Sequence, residues 1–165
     1  MQRSLVGSEM CIRDRVDFCL VLVVFQGSPH INLDAKGRLS VPSRYREALA
    51  QLCSGQMTFT RHPDGCALLY PRNVWETKRT ELMALPYSAR VFQRIVMGSA
   101  VDVDMDASGR LLVPAELRKA CGLSKEIVLV GLGSHFELWD AEKLAESEAK
   151  AMTENLSDIA AQFNF

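Results

Sequence analysis

Apolar residues alternate with aspartates through "VDVDMD", residues 101–106, the period-2 pattern of a half-buried strand. Val101, Val103 and Met105 fall on one face; Asp102, Asp104 and Asp106 fall on the other. "DASG" then puts Asp106 first and Gly109 fourth in a tight turn, the preference of a type I turn. Gly109 supplies the positive φ that a following bulge needs. "RLLV" resumes as a strand with Leu111 and Val113 on one side. Pro114 suits the first turn of a helix, where its missing N–H is not required. Leu117, Ala120 and Cys121 then recur at i, i+3 and i+4, the predicted buried face of that helix.

The same pattern stands seventy-two residues earlier. "LDAKGRLSVPSRYR" (33–46) and "MDASGRLLVPAELR" (105–118) are identical at eight of fourteen positions. Ile31 and Leu33 alternate, "DAKG" turns at Asp34 and Gly37, and Leu39 and Val41 return. Pro42 opens a helix whose predicted buried face is Tyr45, Ala48, Leu49 and Leu52. Gly55 and Gly122 lie at the helix ends, where a left-handed residue is expected. Beyond the helices, "MTFT…CALLYP" and "IVLV…FELWD" each read as two short strands joined by a turn. About 45 residues cannot bury a good core alone. The two copies are therefore expected to share one core about a pseudo-two-fold axis.

The remaining segments frame the repeat. "PRNVWETKRTELMAL" and "SARVFQRIVMG" predict two helices broken at Pro86, with Phe92, Ile95 and Val96 on one face. Tyr70, Trp75 and Trp139 end strands or open helices and are expected in the core. The last 26 residues predict an acidic amphipathic helix, with Leu144, Met152, Leu156, Ile159 and Phe163 on one side, a candidate subunit interface. The apolar run "VDFCLVLVVF" is shorter than the roughly 17–25 residues that span a bilayer. A signal peptide is its rival reading, but no small-x-small cleavage site follows. Residues 1–23 are read as a non-native or mis-called extension, with Val24 as the start. The expected organisation is a first half at 28–75, a helical linker at 76–98, a second half at 99–142 and an acidic helical tail at 143–165.

Charge changes this picture by its distribution. The net charge is −1, which argues against a globally basic binder of nucleic acid. Yet residues 31–50 hold four basic and two acidic side chains, and residues 72–97 hold five and two. Residues 140–165 hold two basic and six acidic ones, so a basic front precedes an acidic tail. The five cysteines form no CxxC pair and read as reduced thiols of an intracellular protein. His62 and Cys66 bracket the turn "HPDGC", but no further ligand stands near them in sequence, and no metal is expected. No Ser/His/Asp or Cys/His arrangement and no phosphate loop is present. The expectation is a protein that is not an enzyme, with no cofactor, no small-molecule substrate and no membrane partner.

The unit Asp-x-x-Gly-Arg-Leu-x-Val-Pro, in two copies, resembles the MraZ family of bacterial proteins, and the resemblance runs from Val24 into the tail. Each half is similar to the AbrB swapped-hairpin module. The resemblance implies a mixed α+β fold. Its tandem AbrB-like swapped-hairpin halves would share one double-split β-barrel-like core, with helices outside. It also implies a cytoplasmic, nucleoid-associated regulator of transcription, a repressor that binds double-stranded DNA at short promoter repeats. The implied target is the division and cell-wall gene cluster, the regulator's own gene included, and the implied assembly is a ring-like homo-oligomer. An antitoxin-like interaction module is the rival, although such proteins usually carry one copy of the unit.

Within that frame the candidate DNA contacts are Lys36, Arg38, Arg44 and Arg110. Asp34, Gly37, Asp106 and Gly109 shape and orient the two turns. Arg38 and Arg110 each lie four residues after an aspartate, so an ion pair that fixes the turn is the alternative reading, and both can hold together. The copies differ in charge: Ser108 replaces Lys36, Glu116 replaces Arg44, and three aspartates precede the second turn. The first turn is therefore expected to make the principal contact, with Arg110 auxiliary or structural. Arg44 and Arg46, on the helix behind the first turn, read either as solvated charges or as backbone phosphate contacts, and Arg46, whose counterpart is Arg118, also as packing or an ion pair between the halves.

Overall fold

The computed structural model describes residues 24–153 and residue 160. The expected extension at 1–23, and the tail positions Leu156, Ile159 and Phe163, lie outside the described residues. The described residues form a mixed α+β fold with five helices and antiparallel strands. The first copy contributes β2 (His30–Asn32), β3 (Arg38–Ser40), α1 (Ser43–Cys53), β4 (Gln56–Arg61) and β5 (Ala67–Pro71), preceded by β1 (Phe25–Gly27). Helices α2 (Arg72–Met83) and α3 (Arg90–Gly98) follow, separated by Pro86 and a short 3-10 turn at Tyr87–Ala89. The second copy repeats the order as β6 (Val101–Asp104), β7 (Arg110–Leu112), α4 (Ala115–Cys121), β8 (Glu126–Gly133) and β9 (Phe136–Asp140). Helix α5 (Ala141–Thr153) closes the described chain.

The strands of the two copies interleave. The hairpins β4–β5 and β8–β9 join edge to edge through β5 and β9, with Leu69 opposite Phe136. The leading strand of each copy crosses to the other copy's hairpin. Ile31 of β2 stands opposite Ile127 of β8, and Val103 of β6 stands opposite Met57 of β4. Strands β3 and β7 leave this sheet and pair with each other, Leu39 opposite Leu111. The expected barrel-like closure is absent: the seven-stranded sheet is open, with β6 at one end and β1 and β2 both on β8 at the other. Strands β3 and β7 extend neither end of it, since they pair with each other in a separate two-stranded sheet.

Alternation along the hairpins puts an apolar layer on each face of the sheet. On one face Leu39, Val41 and Leu49 of the first copy meet Leu111, Val113 and Leu117 of the second over Phe59 and Leu129, all buried in one cluster. The other face holds a smaller cluster of Cys66, Leu68, Tyr70, Trp75, Val96 and Trp139 beneath α2, α3 and the start of α5. The three aromatic residues are thus interior, as their positions predict. Burial first, with the nearby carboxylates of Glu137 and Asp64 adding to it, raises the Cys66 thiol far above its ordinary range, so it packs as a small hydrophobe.

Four local features differ from the sequence reading. Pro42 and Pro114 hold the N-cap, one residue earlier than the first helical position. Ser54, not Gly55 alone, adopts positive φ (53°) at the end of α1. Ala120 is exposed, because α4 is only seven residues long and Leu117 and Cys121 complete its buried side. Val101 is 42% exposed at the edge strand.

Leu39 and Leu111 have no exposed surface and lie in a core that both copies build. Leu111→Ala should lower unfolding free energy by about 2–5 kcal/mol. Because that core is shared and Trp75 and Trp139 lie together in the smaller cluster on the other face, denaturant unfolding followed by tryptophan fluorescence and by far-UV circular dichroism should show coincident midpoints. Separated midpoints would mean that the two faces of the sheet unfold independently.

Candidate nucleic-acid interface

The β3–β7 pair is a ribbon with one dry face and one wet face. Leu39 and Leu111 point inward; Arg38, Ser40, Arg110 and Leu112 alternate with them and share the outer face. Arg38 stands opposite Leu112 and Arg110 opposite Ser40. The two arginines are therefore diagonal neighbours on one surface, roughly 7–8 Å apart at the backbone.

Each arginine is aimed by its own turn. Asp34 Oδ1 accepts the backbone N–H groups of Lys36 and Arg38, both at 2.9 Å, and its Oδ2 accepts Arg38 Nε at 2.7 Å. The second turn repeats this set: Asp106 accepts from the Ser108 and Arg110 backbones at 2.9 Å and from Arg110 Nε at 2.8 Å. These hydrogen bonds, led by the backbone N–H of Arg38 or Arg110, hold both carboxyls below the ordinary aspartate range. The ion pair takes up Nε only. Among the described residues, the terminal nitrogens of Arg38 and Arg110 have no hydrogen-bond partner, so each planar fork is free to meet a ligand end-on. The ion-pair reading and the contact reading thus describe one geometry.

The two turn glycines do more than permit positive φ (78° at Gly37, 75° at Gly109). A Cβ on Gly37 would lie 2.5 Å from the Arg118 guanidinium carbon, and one on Gly109 would lie 2.4 Å from Arg46 Nε. Each helix arginine thus lies on the turn of the opposite copy. The contact is packing between halves, with no ion pair: Arg46 Nε donates to the Val41 carbonyl at 2.7 Å, while Arg118 Nε is buried without a partner among the described residues. The identical Arg at the end of both repeated segments was the sequence signal for this role.

The surroundings of the two turns differ. Beside the first turn, a cleft of about 550 Å³ is lined by Asp34, Arg118, Ser124 and Lys125, among others. Lys36, Arg38, Arg118 and Lys125 thus gather at one turn, and the sequence reading missed Lys125 because it comes from the other copy. Beside the second turn, Asp102 accepts from Thr58 Oγ1 at 2.7 Å and lies 3.6 Å from Arg72 Nε; Asp104 lies 3.5 Å from Arg72 Nη2. Those two carboxylates are therefore partly neutralised within the fold. Arg44 lies apart from this pattern, its guanidinium 4.6 Å over the Tyr45 ring and against Gly27 of β1. His62 faces Asp64, and no group of three or more His, Cys, Asp or Glu among the described residues could hold a metal ion. No helix among the described residues is long and apolar enough to cross a membrane.

Two like halves, interleaved through their strands and showing paired arginines on a shared ribbon, define a class of tandem-repeat α+β protein with a cationic surface ribbon. The chain belongs to the MraZ family: the family model described as "MraZ protein, putative antitoxin-like" matches twice, at residues 24–95 and 96–163. It is similar to the transcriptional regulator MraZ of Janthinobacterium sp. (strain Marseille), 52% identical over 142 residues, 86% of this chain and 100% of the relative. The proteins of the same name from Herminiimonas arsenicoxydans and Bordetella pertussis are 51% identical over the same shares. These relatives are named for regulation of transcription, which is not a class of enzyme.

Gly37→Ala should cost more stability than Gly65→Ala. Both force a side chain onto positive φ, at about 1–3 kcal/mol, but only Gly37 has a guanidinium against it. Adding Arg118→Ala should recover part of the Gly37→Ala loss in a double-mutant cycle read by denaturant unfolding. A pH series tests the turns. Since the folded aspartates titrate below their unfolded values, their stabilisation is complete above the unfolded aspartate range and is lost as pH falls through the folded one. Melting of the Asp34→Asn, Asp106→Asn chain should therefore fall less steeply in acid than that of the parent.

Proposed function

We propose that this protein is a transcriptional regulator that binds double-stranded DNA through the outer face of the β3–β7 ribbon. The single observation that carries this reading is the placement of Arg38 and Arg110. They share one exposed face, their Nε groups are fixed by Asp34 and Asp106, and their terminal nitrogens are free. A two-stranded ribbon fits the major groove, about 12 Å wide, and an arginine fork matches the O6 and N7 acceptors of guanine. Lys36 and Arg44 serve as flanking phosphate contacts, joined at the first turn by Lys125. The first turn is the stronger side, because four cations surround it. The names of the relatives support the regulatory role. The finer reading follows the family resemblance. The protein represses the division and cell-wall cluster, its own gene included, from short promoter repeats, acting in the cytoplasm at the nucleoid. Its halves are AbrB-like swapped hairpins, a reading that the crossed strand pairing supports. One chain offers a small contact surface with net charge −1. Affinity then comes from several copies of a ring-like homo-oligomer that engage repeated sites together. The description of the family as antitoxin-like favours one rival, an antitoxin-like interaction module.

Fluorescence anisotropy with the duplex upstream of the protein's own gene separates these readings. Binding should be tighter than to a scrambled duplex and should weaken steeply with salt. Arg38→Ala should abolish the preference for the upstream duplex. Lys125→Ala should weaken both duplexes alike and reduce the salt slope by about 0.9, the share of one phosphate. Equal affinity for the two duplexes, unaffected by Arg38→Ala, would favour the interaction module.

A further inference from the structure

Among the described residues, exposed large apolar side chains cluster on the α2–α3 hairpin. Met83 (59% exposed), Tyr87 (82%) and Val91 (64%) project from it, and Leu85 and Phe92 are more than one-third exposed. Two clefts flank α3. One, of about 260 Å³, is floored by Trp75, Leu82 and Val96 and rimmed by Leu85 and Phe92. The other, of about 460 Å³, is lined by Met83, Met97, Gln93, Arg90 and Arg94. Neither Arg90 nor Arg94 has an ion-pair partner among the described residues. Scattered apolar residues on a surface are ordinary, but a contiguous patch rimmed by charge marks an interaction site.

The complementary element is on the same chain. Helix α5 buries no residue along its 13 positions; near its start Leu144 packs on the cluster of Trp75 and Val96, and Lys143 Nζ donates to the Cys121 carbonyl at 2.8 Å. From that anchor to Thr153 the helix runs about 14 Å. Met152 near its end is 75% exposed, and Glu142, Glu146 and Glu148 are exposed along it. The sequence beyond Lys150 has no Lys or Arg, carries Glu154 and Asp158, and spaces Leu156, Ile159 and Phe163 at i, i+3 and i+7. This arm is acidic and apolar where the hairpin is basic and apolar.

We propose that the α2–α3 hairpin of one copy is the docking surface for the C-terminal arm of a second copy. The arm's apolar positions enter the clefts beside α3, and its carboxylates meet Arg90 and Arg94. A second copy fits better than the arm's own hairpin, because within one chain α5 buries no residue and Met152 stays exposed while Met83, Tyr87 and Val91 of the hairpin stay uncovered. Donor and acceptor surfaces differ, so the contact is heterologous; repeated, it either closes a ring or extends a filament. The inference rests on the self-association proposed above and assigns surfaces to it.

The test is the mass of full-length chains by light scattering after gel filtration, with circular dichroism and melting as controls of folding. Val91→Asp spoils the hairpin and Ile159→Asp spoils the arm; Arg94→Glu, an exposed position, stands in should Val91→Asp lower melting. The parent should be a multi-chain assembly, and each variant alone should have the mass of one chain. An equimolar mixture should give a two-chain species and nothing larger, because one intact arm then meets one intact hairpin. A single-chain parent would overturn self-association itself. An assembled parent with assembled variants would leave self-association standing and overturn these surfaces, the result also expected if each arm folds onto its own hairpin. Dissociation by Val91→Asp alone, or a mixture that stays single-chain, would overturn the arm as the occupant.

Discussion

The pairing of β3 with β7 is the contact on which the rest of the structure depends. It is three residues long on each strand, yet it joins the copies, buries Leu39 against Leu111 and forms the face that displays Arg38 and Arg110. Its ends are tied by reciprocal bonds, from the Val41 N–H to the Gly109 carbonyl at 2.9 Å and from the Val113 N–H to the Gly37 carbonyl at 3.0 Å. Neither copy can complete this ribbon alone. The duplication in the sequence is therefore a structural requirement, since each copy supplies the other's missing strand.

The same constraint explains the composition of the turns. A glycine at each tip lets the chain reverse with positive φ and leaves room for the guanidinium that arrives from the other copy. Two arginine pairs with distinct duties result. Arg46 and Arg118 lie on the turns and are partly buried, while Arg38 and Arg110 extend from the ribbon with their forks open. Aspartate fixes the outer pair without consuming it, because one Nε–carboxylate bond leaves the terminal nitrogens available. Orienting the side chain in advance reduces the rotamer freedom lost when a ligand binds.

Much of this was legible in the sequence because it is local. Alternation through residues 101–106, the Asp-to-Gly spacing of the turns and the helical spacing of Tyr45 and Leu49 all report on near neighbours. The turn arginines were legible for the same reason, since Asp34 and Arg38 are four residues apart. What escaped was long-range. Lys125 reaches the first turn from the other copy, through a backbone bond from the Leu33 N–H to the Lys125 carbonyl at 2.9 Å. Arg72 was counted only among the basic side chains of residues 72–97, yet it faces Asp102 and Asp104 across the sheet edge. The open sheet was equally hidden, because the number of strands in a sheet does not determine whether its ends meet.

Modification of arginines by a dicarbonyl reagent, read by mass spectrometry with and without the duplex upstream of the protein's own gene, tests the central claim most directly. The ribbon account predicts that the upstream duplex protects Arg38 and Arg110 together, that a scrambled duplex protects them less, and that Arg90 and Arg94 react as they do without DNA. Unchanged reactivity at Arg38 and Arg110, with protection appearing at the α2–α3 hairpin instead, would contradict it.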